Sequence, residues 1–358
     1  MKLRSLRVEN LRLIESSEID FSPDWNVFVG GNGAGKTTLL EAAFLLSHGR
    51  SFRSTVRDTL SREGSSGYSV FGEIERRDIA ERVGLARHQR KLEARLNGSA
   101  IAIGELMRLA AVVCFEPGSH ALIGGPSDER RRYLDWGVFH VEQDFLATWR
   151  RYQRALRQRN VLLRQSAPER EMEPWNRELS VAATPLTAQR RRYFDALRPL
   201  ATRYLREFLP ELGAPLLAFR PGFDDTLDLA ESLAATTDQD RARGYTGGGP
   251  HRTDWSVSFE RMTRREYLSR GQEKLCAFAF VLAQAHLFEV GFGEWPVVCL
   301  DDLSSEVDAA HLVRILGAID ESGAQVLLTG TAEPAELKSL RRPISRFHVE
   351  HGRIARLL

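Results

Sequence analysis

Single apolar residues alternate with polar and charged ones through the opening MKLRSLRVENLRLIESSEID. A period of two marks strands with one buried face, and three strands are expected, at Leu3–Val8, Glu18–Phe21 and Trp25–Val29. A glycine-rich loop follows, and then the pattern predicts an apolar helix from Lys36 to about Ser47. A further short apolar run, Ala110–Phe115, reads as a strand that stops before Pro117.

Beyond Pro117 the pattern changes to long arginine-rich helical segments. Phe145, Trp149, Tyr152, Leu156 and Leu163 fall at heptad spacing, with Arg159 in the skipped position. Leu179, Ala183, Leu186, Tyr193, Leu197, Leu200 and Tyr204 continue in the same way, interrupted at Arg190 and with bends expected near Pro185 and Pro199. Gln165–Arg177, with two prolines and many charges, suits a hairpin tip between the two seams. A helical arm folded back on itself is expected. The acidic stretch Asp224–Asp240 and the glycines of Tyr245–Trp255 read as the return to the first domain.

The C-terminal part is again sheet and helix. Gln272–Val290 carries Leu275, Phe278, Ala279, Leu282 and Leu287 at helical spacing. Its apolar run is broken by Gln284, His286 and Glu289, which suits a buried helix better than a membrane span. WPVVCLDD at Trp295–Asp302 reads as a buried parallel strand ending in two carboxylates. These boundaries give an α/β fold in three pieces: residues 1–115 and 246–358 as two parts of one head, and 116–245 as an inserted, mainly helical arm.

Composition adds constraints. A chain of 358 residues with 42% hydrophobic content can fill a sizeable core. The N-terminal segment has no continuous apolar stretch, so a soluble cytoplasmic protein with no membrane contact is expected. Cys114, Cys276 and Cys299 are far apart in apolar surroundings and read as small buried residues. The net charge is only +2, so bulk charge draws no nucleic acid and any such binding needs local patches.

The candidate chemistry begins at Gly30–Thr38, GGNGAGKTT. Gly30–Thr37 fits the phosphate-binding pattern in which Gly30, Gly31, Asn32, Gly33, Ala34 and Gly35 close backbone N–H groups around phosphate oxygens at a helix N-terminus. Lys36 would bridge the β- and γ-phosphates, Thr37 would place its hydroxyl on Mg²⁺, and Thr38 completes the loop. A pair of carboxylates after a buried strand belongs at the same sheet end. Asp301 would hold Mg²⁺ and Asp302 would orient the attacking water. A third element, LSRGQEK at Leu268–Lys274, puts Ser269, Gly271 and Gln272 at the N-terminus of the long apolar helix. Ser269 alone would read as an ordinary N-cap; beside the other two motifs it suits a γ-phosphate.

Together the P-loop, GRSFR at Gly49–Arg53, GGPSDERRRYLDW at Gly124–Trp136, GPHRTDW at Gly249–Trp255, LSRGQEK and LDDLSSEVD at Leu300–Asp308 resemble the heads of ABC-type ATPases. Specifically, the chain resembles the SMC-like branch and, within it, the RecF family. The resemblance spans essentially the whole chain. It implies that Ser269, Gly271 and Gln272 of one subunit close over ATP held by the P-loop of another in an ATP-dependent homodimer. It further implies that Ser305, Glu306 and Asp308 lie in a loop communicating between the two sites, and that Arg53 links nucleotide to DNA. The implied activity is slow, DNA-dependent ATP hydrolysis in recombinational repair and replication-fork maintenance. Recombinase loading at gaps would be its outcome, with the RecO and RecR proteins as partners. Transporter-type relatives carry a switch histidine after the next strand, whereas this chain has LLTGT, in which Thr329 or Thr331 could substitute. Ser269 follows Lys36 by 233 residues, which is too many for a compact transporter subunit, the alternative reading, and too few for a long coiled coil.

Glu129–Arg164 holds nine arginines against four acids, and Arg190–Arg192 adds a second cluster. By default such a run is a solvated helix face. The resemblance makes it a candidate surface for duplex DNA or duplex/single-strand junctions, with Arg150, Arg151 and Arg154 as the named contacts. Such contacts would go to phosphates and be salt-dependent.

Overall fold

The computed structural model describes residues 1–53, 57–89 and 91–357; Leu358, the last residue of the expected head, lies outside them. The described chain divides into two compact units. The first comprises 1–120, 207–209 and 269–358, and the second 121–206 and 210–268.

The first unit contains two six-stranded sheets. One is antiparallel, built from β1 (Lys2–Leu11), β2 (Ile14–Asp20), β4 (Gly67–Arg76), β5 (Ile79–His88), β6 (Lys91–Leu96) and β7 (Ser99–Ile101) in the order β2-β1-β4-β5-β6-β7. The other combines β3 (Trp25–Val29), β8 (Val112–Phe115), β11 (Val297–Leu300), β12 (Val326–Gly330), β13 (Ile344–Glu350) and β14 (Arg353–Leu357) in the order β14-β13-β3-β12-β11-β8. Its strands pair in parallel except at the β13–β14 edge. The four-residue run Val297–Leu300 is wholly buried, as a central parallel strand must be. The first two strands are longer than expected: β1 reaches Leu11 and β2 begins at Ile14, because the turn between them is tight, with Arg12 in left-handed conformation at φ 51°.

The helix Lys36–His48 is buried from Thr38 to Ser47. The helix Arg270–Phe292 is long and apolar enough to cross a membrane. It instead packs as core: Phe278 and Phe280 are fully buried, and Phe278 meets Phe115 of β8 edge-on with ring centroids 5.1 Å apart. Cys276 and Cys299 are buried, and Cys114 is partly so.

The second unit carries the long helices Phe145–Arg164 and Glu169–Phe208. The tip between them is only residues 165–168, shorter than the expected Gln165–Arg177, since the second helix starts at Glu169 and runs through Pro174, Pro185 and Pro199 without interruption. The return of the chain also differs from expectation. β10 (Asp254–Phe259) pairs with β9 (Pro215–Arg220), so residues 246–268 stay with the second unit and the chain rejoins the first at Ser269.

The arginines that break the heptad seams are anchors. Arg159 is wholly buried and donates to Asn176 Oδ1 and Asp240 Oδ2, both at 2.7 Å, to Thr246 Oγ1 at 2.9 Å and to Leu233 O at 3.1 Å. Arg190 is held by both carboxylate oxygens of Asp135 and by Pro250 O, and Arg130 by Asp254 and Gly125 O. Arg151 pairs with Glu178, Arg191 with Asp225 and Arg192 with Glu142. The counted excess of arginine is therefore largely consumed inside the unit or by neighbouring carboxylates; Arg150 and Arg154 remain exposed.

Candidate nucleotide site

Parallel register brings the motif residues to one sheet end. β3, β12, β11 and β8 align so that Val29 stands beside Gly330 and Leu300 beside both Leu328 and Phe115. The P-loop after β3 and the carboxylates after β11 thus emerge together, where ligands of such sheets bind. One cavity is lined by Asn32–Thr38, Leu13, Arg53, Asp301 and Asp302.

The loop's shape follows from its glycines. A Cβ on Gly30 would lie 2.1 Å from Val349 O, and Gly35, at φ 111°, turns the chain into the helix. Lys36 is buried and donates to Gly30 O at 2.7 Å and Gly31 O at 2.9 Å, so its ammonium is held inside its own loop.

Asp301 is the convergence point. Thr37 Oγ1 lies 2.9 and 3.0 Å from its two carboxylate oxygens, and Thr329 Oγ1 donates to Oδ1 at 2.6 Å. Burial raises its pKa, opposed by the hydrogen bonds from Thr329 and Thr37; the neighbouring Asp302 raises it further and Arg53 lowers it. Asp302 adopts left-handed backbone at φ 51°, and its N–H donates to Thr329 O and Thr329 Oγ1, both at 3.1 Å. Glu116, the residue after β8, is likewise raised by burial. Hard oxygen donors from a hydroxyl and a buried carboxylate suit Mg²⁺. A divalent cation would also offset the desolvation of Asp301.

Ser269 caps the helix Arg270–Phe292 in a reciprocal pair: its Oγ accepts from Gln272 N at 3.3 Å and its N–H donates to Gln272 Oε1 at 3.0 Å. Gly271 is exposed, and a Cβ there would meet only Ser269 Oγ at 4.0 Å. Lys274 pairs with Glu306 at 2.5 Å, linking this helix to the loop after β11. Ser305 Oγ donates to Asp302 O at 2.8 Å, and Asp308 caps the next helix through His311 N at 3.0 Å.

Three participants escaped the sequence reading. Leu13 enters the cavity because the β1–β2 turn lies beside the P-loop, which no local pattern reveals. Glu116 follows a strand whose neighbour could not be known without the sheet order. Thr329 was weighed as a replacement for a switch histidine; it is instead buried and bonded to both aspartates, whereas Thr331 is exposed. A lone threonine inside an apolar strand was the available signal.

The profile of the RecF/RecN/SMC N-terminal domain family matches residues 2–354. A protein of Stenotrophomonas maltophilia named DNA replication and repair protein RecF is 44% identical over 361 residues, covering 99% of both chains. The chain belongs to the RecF family. A more distant RecF, from Shewanella piezotolerans, is 33% identical over 99% of each chain. Among solved structures, the recombination mediator protein RecF-ATP of the RecFOR pathway superposes with a TM-score of 0.89 at 24% identity, covering 99% of this chain and 97% of that one. An SMC head bound to the C-winged helix domain of ScpA gives 0.60 at 15% identity. RecF and SMC heads thus share this fold, that of the ABC-type ATPase head.

Proposed function

We propose that this chain binds ATP with Mg²⁺ at the P-loop, hydrolyses it slowly, dimerises on it, and as a dimer binds duplex DNA or duplex/single-strand junctions in replication and repair. The observation that carries the reading is the convergence of Lys36, Thr37, Asp301 and Asp302 on one cavity. The names of the relatives, DNA replication and repair protein RecF, support the process, and a RecF structure with ATP supports the ligand.

Lys36 would exchange its two loop carbonyls for phosphate oxygens, a gain because a buried ammonium then meets negative charge. Thr37 and Asp301 would hold Mg²⁺, which supplies neutralisation of charge on the phosphates. Asp302, fixed by its two bonds to Thr329, would orient the attacking water. Gly271 costs a helix interior about 0.5–1 kcal/mol relative to alanine, and nothing within the chain crowds the position. A second molecule approaching that helix end gives the glycine a purpose, which supports closure of Ser269 and Gly271 over the nucleotide of another subunit. The RecFOR context of the solved relative supports RecO and RecR as partners. Exposed Arg150 and Arg154 are the DNA contacts proposed, with Arg151 available once it exchanges Glu178 for phosphate.

The test is equilibrium binding of a fluorescent ATP analogue together with turnover. Lys36→Met should lose binding, whereas Asp302→Asn should bind as wild type and lose hydrolysis. Binding unchanged in Lys36→Met, or turnover unchanged in Asp302→Asn, would refute the assignment.

A further inference from the structure

One buried carboxylate outside the motifs grips both walls of the nucleotide cavity. Glu41 lies four residues beyond Thr37 on the P-loop helix and is fully buried. Arg12 donates to it through Nε at 2.5 Å and Nη2 at 2.8 Å, and through Nη1 to Thr59 O at 3.2 Å. Ser51 Oγ donates to Glu41 Oε1 and accepts the backbone N–H of Arg53 at 2.9 Å. Arg12 and Ser51 are thereby each one or two residues from a cavity-lining side chain, Leu13 on one wall and Arg53 on the other.

The geometry needs an explanation beyond packing. A non-glycine residue with positive φ is disfavoured, and it persists where the surroundings over-determine it. Arg12 is such a residue, at φ 51°, and its fork is filled by Glu41 and Thr59 O. A buried carboxylate needs paired charge and hydrogen bonds to offset its desolvation. Both of Glu41's oxygens obtain them from the chain segments that carry Leu13 and Arg53. The P-loop helix is thus fixed to the two elements that must meet whatever the P-loop holds. Arg53 is close enough for its charge to lower the pKa of Asp301.

We infer that Glu41 is a positioning residue: acting through Ser51 it fixes Arg53 over the phosphate end of the cavity, and through Arg12 it fixes the Leu13 turn. This rests on the proposal that the cavity binds ATP. It predicts that Arg53 and Ser51 contribute to nucleotide affinity as one unit, because Ser51 acts only by placing Arg53.

The experiment is a double-mutant cycle on binding of fluorescent ATP and ADP analogues, with Tm measured for each variant. Arg53→Ala should weaken ATP binding about tenfold, within the range of a single coupled charged contact, and ADP less. Ser51→Ala should lower the ATP-to-ADP preference in the same direction, and the double variant should match Arg53→Ala alone. Ser51→Thr, which keeps the hydroxyl, should restore the preference. Glu41→Gln should behave as Ser51→Ala; where it fails to fold, the Ser51 cycle decides. Additive losses for Ser51→Ala and Arg53→Ala, or a lowered Tm in Ser51→Ala with unchanged preference, would overturn the inference while leaving ATP binding intact. A wild-type chain that binds no ATP analogue would overturn the functional reading, and this inference with it.

Discussion

Thr329 Oγ1 donates to Asp301 Oδ1 at 2.6 Å while accepting the N–H of Asp302 at 3.1 Å. A single buried hydroxyl therefore orders both carboxylates of the LDD motif. Its donor and acceptor are both used within the protein, which leaves it to hold Asp301 and Asp302 rather than to report on a phosphate.

Removing that hydroxyl should therefore act through the metal site. Thr329→Val leaves the buried Asp301 short of one donor, a loss of about 1–3 kcal/mol. Titrating Mg²⁺ into the chain with a fluorescent ATP analogue should give a weaker Mg²⁺ dependence in Thr329→Val, restored in Thr329→Ser. Equal Mg²⁺ dependence in all three would mean that the hydroxyl is merely structural.

The second unit should respond to acid through His251. Burial lowers its pKa from 6.5 to about 4, with its Nδ1 2.7 Å from Tyr152 Oη and its Nε2 2.9 Å from Thr246 O. The unfolded chain takes up the proton near pH 6.5 and the folded chain only near pH 4, so stability is present above pH 6.5 and lost as pH falls between the two. The loss reaches about 3 kcal/mol at most, at 1.36 kcal/mol per unit. Urea unfolding followed at pH 7 and pH 5 should show it, and His251→Gln should flatten the difference. An unchanged difference in that variant would assign the acid sensitivity to other groups.

Arginines of the same run should separate into two kinds. Arg159→Leu strands the buried Asp240 and should cost about 3–5 kcal/mol, seen as a lower Tm for unfolding of the second unit. Arg154→Glu changes an exposed charge and should leave Tm within about 0.5 kcal/mol of wild type, while weakening duplex binding measured by anisotropy. Equal Tm losses in the two variants would contradict the distinction.

That distinction shows where the sequence stopped being readable. The P-loop, the LDD strand and the long apolar helix could be placed because each is a contiguous pattern whose period or spacing reflects local geometry. Arg159 could not be told from Arg154, because its burial depends on a carboxylate 81 residues away. The return of the chain was misplaced for a similar reason: β10 looked like the start of a head strand, and only its pairing with β9 assigns it to the second unit. The tip was overestimated since prolines were read as breaks, whereas Pro174 lies within the helix Glu169–Phe208. Glu41, in the middle of an apolar helix, was legible as an anomaly but not as a partner of Arg12 and Ser51.

The account's central claim is that one nucleotide joins two chains, the P-loop of one and the Ser269 end of the other. It is tested most directly by light scattering with and without ATP, on wild type and on Ser269→Arg. A nucleotide that binds the dimer more tightly than the separate chains must stabilise it by linkage. Wild type should double in mass on adding ATP, and Ser269→Arg should remain at monomer mass while binding the ATP analogue with near wild-type affinity. A dimer of equal strength in the variant, or a wild-type mass unmoved by ATP, would contradict it.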